Sequence, residues 1–224
     1  KNIFVQKGVA TTEHPGGIVV DPHNLIAFED YPFSNDDWLG EGFNSITNPA
    51  HEGYGGDGVI WSTVAAKKKE GKVLTSKVGW MFTFSDASFS FFIETVYKVE
   101  PITARRTVIA EISYPDADLT WCEEHKGERY HDNKARIGNI HSVQTTERYI
   151  ILVENAYLYD PCENVNYNDS LPHYINQMSF ESEAENRIHI IDKCGDVETI
   201  NVPAFLITHV LGSFEDLETN LIHF

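Results

Sequence analysis

From end to end the chain is written in short runs of β-branched and aromatic residues divided by turn formers, with no long stretch of helical period among them. Such a pattern builds hairpins that stack into a sandwich, barrel or propeller, and it excludes βαβ units, whose parallel strands need helices between them. The runs predict strands at 18–20, 25–28, 59–63, 73–74, 78–84, 89–98, 107–113, 139–144, 149–154, 187–192, 197–202, 204–210 and 220–224. Two tight turns follow from glycine placement, Lys69-Glu70-Gly71-Lys72 and Lys193-Cys194-Gly195-Asp196. Irregular loops are expected at about 31–58 and 160–186, the second with a short amphipathic turn around 174–180. Loops of that length in a compact β domain line or cover a site. Residues 1–224 therefore read as one all-β domain, in which Lys67-Lys68-Lys69 is a solvated hairpin end.

Charge removes whole classes of partner. Seventeen Lys and Arg stand against 34 Asp and Glu, a formal charge of −17 that repels phosphate backbones, so nucleic acid is not expected to bind. The 42% hydrophobic and 12% aromatic content supports a packed core. Its densest aromatic stretch, Trp80 to Tyr97, is interrupted by Ser85, Asp86, Ser88, Ser90 and Glu94, so no transmembrane segment is expected. Cys122, Cys162 and Cys194 lack the spacing of a zinc knuckle or a redox pair, and could be free, paired once or linked to another chain. The sequon Asn168-Asp169-Ser170 and a start at Lys1 without a leader suggest a processed, secreted protein; a cytoplasmic one is the alternative.

Ten histidines carry what chemistry the sequence offers, since neutral imidazole ligates iron, zinc and copper. Three stand out. His14 lies in Thr12-Glu13-His14-Pro15, while His141 and His209 adjoin apolar runs where an imidazole without a partner is costly. His51-Glu52 leads to no second histidine at zinc-protease spacing. Neither a Gly-x-Ser-x-Gly elbow nor a phosphate-cradling glycine loop occurs; Gly53-Tyr54-Gly55-Gly56-Asp57-Gly58 precedes a strand and reads as a loop.

The segment from His141-Ser142 through Thr145 or Thr146 to Tyr149-Ile150 and Val153-Glu154 resembles the second iron-ligand motif of the carotenoid cleavage oxygenases. His209 with Phe214-Glu215 five and six residues later resembles the third, although Val210 stands where many members carry a second histidine. Thr12-Glu13-His14-Pro15 with Asp21-Pro22 is similar to the first. The three histidines are 127 and 68 residues apart in chain order.

Membership of that family implies a seven-bladed β-propeller with one non-haem Fe(II) on its axis, held by four histidines, and a polyene cleaved oxidatively at one double bond. On this resemblance His14, His141 and His209 are three metal ligands. The fourth histidine and the carboxylates behind the ligands are expected outside this chain; His223 is not the fourth. The propeller is expected to be incomplete here and completed by a second chain or a further segment. Trp80, Phe82, Phe84, Phe91 and Tyr97 are offered as apolar lining for a carotenoid or apocarotenoid, with ordinary core packing as the other reading. Two functions follow: a chain of a carotenoid oxygenase, or a non-catalytic pigment or carrier built on the same fold. An unrelated β-rich interaction domain is the reading from a different class.

Overall fold

The structure is a computed structural model that describes residues 8–11, 17–20, 27–30, 43–47, 49, 51–55, 58–70, 89–100, 103–162 and 178–224. Among the described residues, four antiparallel sheets succeed one another. The first is the meander β1 (Gly8–Thr11), β2 (Gly17–Val20) and β3 (Ala27–Asp30). In the second, β4 (Phe43–Thr47), β6 (Ile60–Glu70), β7 (Phe89–Val99) and β8 (Arg106–Ser113) lie in order, with β5 (Gly53–Tyr54) also on β6 and β9 (Ala117–Asp118) on β7. The third runs β10 (Gly138–Thr145), β11 (Tyr149–Tyr159), β13 (Glu185–Asp192), β14 (Val197–Pro203), and β12 (Met178–Phe180) pairs with β11. The hairpin β15 (Phe214–Asp216) and β16 (Leu221–His223) ends the chain. Up-and-down sheets of about four strands, each feeding the next, are the pattern of propeller blades.

Burial explains the strand sequences. β11 is covered on both faces, which is why Ile150-Ile151-Leu152-Val153 runs apolar without alternation. β14 is an exposed outer strand carrying Glu198 and Asn201, polar groups that discourage a further strand from adding there. Between the second and third sheets, Val59, Trp61, Val96 and Ala110 interlock with Ile140, Val143, Ile150, Leu152 and Ile191. Each buried Val, Ile or Leu there contributes about 1.5–3 kcal/mol of hydrophobic free energy. Tyr97 packs with Val64 and Val99 in the core, and burial pushes its phenol up to about 12.

A second core holds the disulfide. Asp118 caps the helix α1 (Leu119–Glu124) by accepting from the Thr120 N–H at 2.9 Å, and the helix turns Cys122 inward to bond Cys162. Tyr114, Tyr130, Tyr159 and Met178 pack around it. Cys194 takes no part in this bond and is exposed in the turn after β13, where Gly195 adopts φ +115°.

Several expectations shift. The loop anticipated at 31–58 contains β4 and β5, and that at 160–186 contains β12 over part of the expected amphipathic turn. Lys67, Lys68 and Lys69 belong to strand β6, not to a hairpin end, because its pairing with β7 runs on to Glu70. Residues 204–210 are not a strand despite their apolar run, for a reason given below. Positions 71–88 and 163–177, with their expected strands and the sequon, lie outside the described residues.

Candidate metal centre

Strand β10 is irregular where it carries its histidine. Ile140 pairs with Glu154 and Val143 with Leu152, so His141 and Ser142 together face one residue of β11. Such a bulge releases backbone groups from the ladder and re-aims side chains. The released groups are used at once. His141 O accepts from the His51 N–H at 3.2 Å, and the Val143 N–H donates to His51 O at 2.8 Å, forming a parallel bridge between sheets. His51 lies in a matching interruption between β4 and β5, both of which pair with β6. Gly53 makes this approach feasible, since a Cβ there would stand 2.5 Å from the Thr145 methyl.

His209 arrives on the segment after β14. Its neighbours have no strand partner and are held by side-chain amides instead. Ile207 N–H donates to Asn155 Oδ1 and Ile207 O accepts from Asn155 Nδ2, both at 2.9 Å, while Asn186 makes the equivalent pair with Phe205. Ser142 donates to Thr208 O at 3.0 Å. Beyond the histidine, Ser213 donates to Thr145 O at 2.9 Å, and Glu215 accepts from the Thr146 hydroxyl and from the Arg148 N–H at 2.7 Å. Burial alone would raise the Glu215 carboxyl, but the Thr146 and Arg148 donors and the charges of Arg148 and Lys193 hold it below the usual range. The third histidine segment is thus clamped along β10 and its hairpin.

The result is a triangle of imidazoles. Ring centroids are 5.3 Å apart for His51 and His141, 5.1 Å for His51 and His209, and 5.2 Å for His141 and His209. One nitrogen of each lies within 4.8 Å of the others. Metal–nitrogen bonds of about 2.1 Å set such nitrogens within roughly 3.6 Å, about an ångström closer, a shift within reach of ring rotation. Three imidazoles with no carboxylate or thiolate in the group, among the described residues, suit iron, copper, nickel or zinc.

The structure brings the expected His141 and His209 together. His14 lies outside the described residues, as do Trp80, Phe82 and Phe84, and only the backbone of Phe91 is described. His51 carries a positional signal in the sequence. It precedes strand β6 by nine residues, much as His141 precedes β11 by eight, so both occupy the same place ahead of a long β run.

A fourth histidine behaves otherwise. His189 is buried, with Nε2 2.9 Å from Glu154 Oε2 and Nδ1 2.9 Å from the Thr199 hydroxyl. Glu154 also accepts from Tyr114 at 3.1 Å and from Gly138 N–H and Arg187, each at 2.5 Å. Burial would raise this carboxyl, yet Arg187, His189 and Gly138 outweigh it and hold it below the usual range. His189, Arg187 and Tyr114 line a cavity of about 610 Å³ that does not include the triangle.

Comparison with known proteins now decides the lineage. The model of the family described as retinal pigment epithelial membrane protein, which comprises carotenoid cleavage oxygenases, matches residues 4–224. The chain belongs to this family. Among solved structures, a variant of Synechocystis apocarotenoid oxygenase superposes with TM-score 0.51 at 15% identity, covering 94% of this chain and 35% of that one. An ACO/RPE65 chimera gives 0.51 at 15% identity, with 93% and 35% covered. These matches show the fold, that of propeller-type oxygenases, and this carotenoid oxygenase-like chain spans about a third of their length. Comparison with curated protein sequences finds no match. Among the described residues, no helix is long and apolar enough to cross a membrane.

Proposed function

We propose that the chain supplies three histidine ligands, His51, His141 and His209, to a non-haem iron centre in a protein that oxidatively cleaves a carotenoid or apocarotenoid. The observation carrying this reading is the meeting of three imidazole nitrogens within 4.8 Å, on segments of which two match the family's ligand motifs. Iron bound there would supply dioxygen activation. The chain's own residues hold and orient it: the His51–His141 backbone bridge fixes two ligands, and the Glu215 and Ser142 clamps fix the segment bearing the third. The geometry favours His51 in the first-ligand role that the motif around His14 suggested.

A complete site needs a fourth ligand and further blades, from more of the same polypeptide or from a second chain. The exposed Leu211, Phe214, Leu217 and Leu221 around the last hairpin support this, being an apolar surface that a neighbouring blade would cover. The polyene would run beside the iron, with Trp80, Phe82, Phe84 and Phe91 as its candidate lining, while Tyr97, offered with them, is a core residue packed on Val64 and Val99. The buried Cys122–Cys162 bond favours an oxidising, extracellular compartment.

The test is to incubate the full protein, loaded with Fe(II), with carotenoid or apocarotenoid under oxygen and to resolve products by chromatography. Two carbonyl fragments, lost in His141→Ala, are the expected result. Intact polyene retained equally by wild type and His141→Ala would overturn the catalytic reading in favour of a pigment or carrier.

A further inference from the structure

The amide of Asn155 joins two histidine-bearing segments at once. Its Nδ2 donates to Asn139 O at 3.1 Å and to Ile207 O at 2.9 Å, and its Oδ1 accepts from the Ile207 N–H. Asn139 precedes His141 by two residues, and Ile207 precedes His209 by two. Asn155 is fully buried, and all three of these polar contacts are spent on those two segments. No backbone ladder joins residues 204–213 to a neighbouring strand, so this amide takes the place of one.

We propose that Asn155 is a positioning residue of the histidine triangle, acting beside the Ser142–Thr208 bond to set the separation of His141 from His209 without touching a metal. This inference rests on the reading of the triangle as a metal site. The physical reason is geometric. Each contact lies only two residues ahead of a ligand, so holding residues 139 and 207 at one amide limits how far 141 and 209 can move apart. Asn186 provides an internal contrast. Its amide makes a similar two-bond clamp on Phe205, four residues before His209, and its other partner is Ala156 N–H in β11; it makes no hydrogen bond to β10.

The experiment measures Co(II) affinity and the visible cobalt spectrum of the full protein as wild type, His141→Ala, Asn155→Ala and Asn186→Ala, with unfolding followed in parallel. The expected result is binding by wild type, none by His141→Ala, and a 10- to 100-fold loss with an altered spectrum in Asn155→Ala, the range seen when supports of metal ligands are removed. Asn186→Ala should stay within about twofold of wild type, even where its loss of stability is similar. Wild-type affinity and spectrum in Asn155→Ala, or equal losses in the two asparagine variants, would overturn the positioning role. Equal cobalt binding by wild type and His141→Ala would overturn the metal reading, and this inference with it. Should Asn155→Ala fail to fold, Asn155→Asp carries the same comparison, since it keeps an acceptor for Ile207 N–H and loses both donations.

Discussion

His189 and His141 lie on strands of the same sheet, yet their surroundings assign them opposite tasks. Around His189 the ring nitrogens meet a carboxylate and a hydroxyl, and Glu154 receives hydrogen bonds from four donors. Around His141 the nearest rings are two more imidazoles, from segments that leave the regular ladder to reach it. What differs is the chemistry gathered around each ring. A buried imidazole with a carboxylate and a hydroxyl on its two nitrogens is a structural element, whereas three imidazoles gathered around one point offer the donor set that the proposed metal site requires.

The sharpest way to break that contrast is to remove the carboxylate. Glu154→Ala strands Arg187 and His189 in the interior and should cost about 3–5 kcal/mol in chemical denaturation, the range for breaking a buried ion pair. A loss below about 1 kcal/mol would mean that the Glu154 network is not what holds the third sheet.

Glu94 sharpens the comparison from the neighbouring sheet. Burial pushes its carboxyl up to about 8 against a lowering by its Thr63 hydrogen bond, with Glu154 raising it further. Thr63 spends its own hydrogen on Thr95 O at 3.1 Å, consistent with a protonated Glu94 donating to Thr63. The folded form keeps a proton that the unfolded chain releases above about pH 4.5, so stability falls as pH rises towards 8 by up to roughly 1.4 kcal/mol per unit. Glu94→Gln should flatten that slope in urea titrations at pH 5 and 7.5 and stabilise at the higher pH. Glu154 works in the reverse sense. Its lowered value gives stability above the ordinary glutamate range that is lost as pH falls through the folded value. An unchanged slope in Glu94→Gln would remove Glu94 from this account.

The smallest expected effect belongs to the triangle. His51 and His209 are exposed, so His51→Ala and His209→Ala should each change metal-free stability by less than about 0.5 kcal/mol. A loss of 2 kcal/mol or more by thermal unfolding would make these rings structural, like His189.

How much of this the sequence discloses follows the same divide. Where regular pairing dominates, as in β11 with β13 and the turn at Gly195, the apolar runs and turn chemistry are readable directly. His141 and His209 are readable because each sits beside a distinctive run. His51 escapes because β4 and β5 are five and two residues long, too short to show a period, and the interruption between them looks like loop. The segment 204–210 misleads in the other direction. Its apolar residues suit a strand, but the partners of Phe205 and Ile207 are asparagine side chains on two different strands, a pairing that no local pattern encodes. The Cys122–Cys162 bond likewise depends on α1 and the end of β11 meeting in space.

The central proposal is that His51 completes the group with His141 and His209, in the role that the motif around His14 suggested. Metal stoichiometry by mass spectrometry of the full protein as wild type, His51→Ala and His14→Ala tests it most directly. One metal ion in wild type and in His14→Ala, with none in His51→Ala, is the result the proposal predicts. Metal retained in His51→Ala and lost in His14→Ala would contradict it.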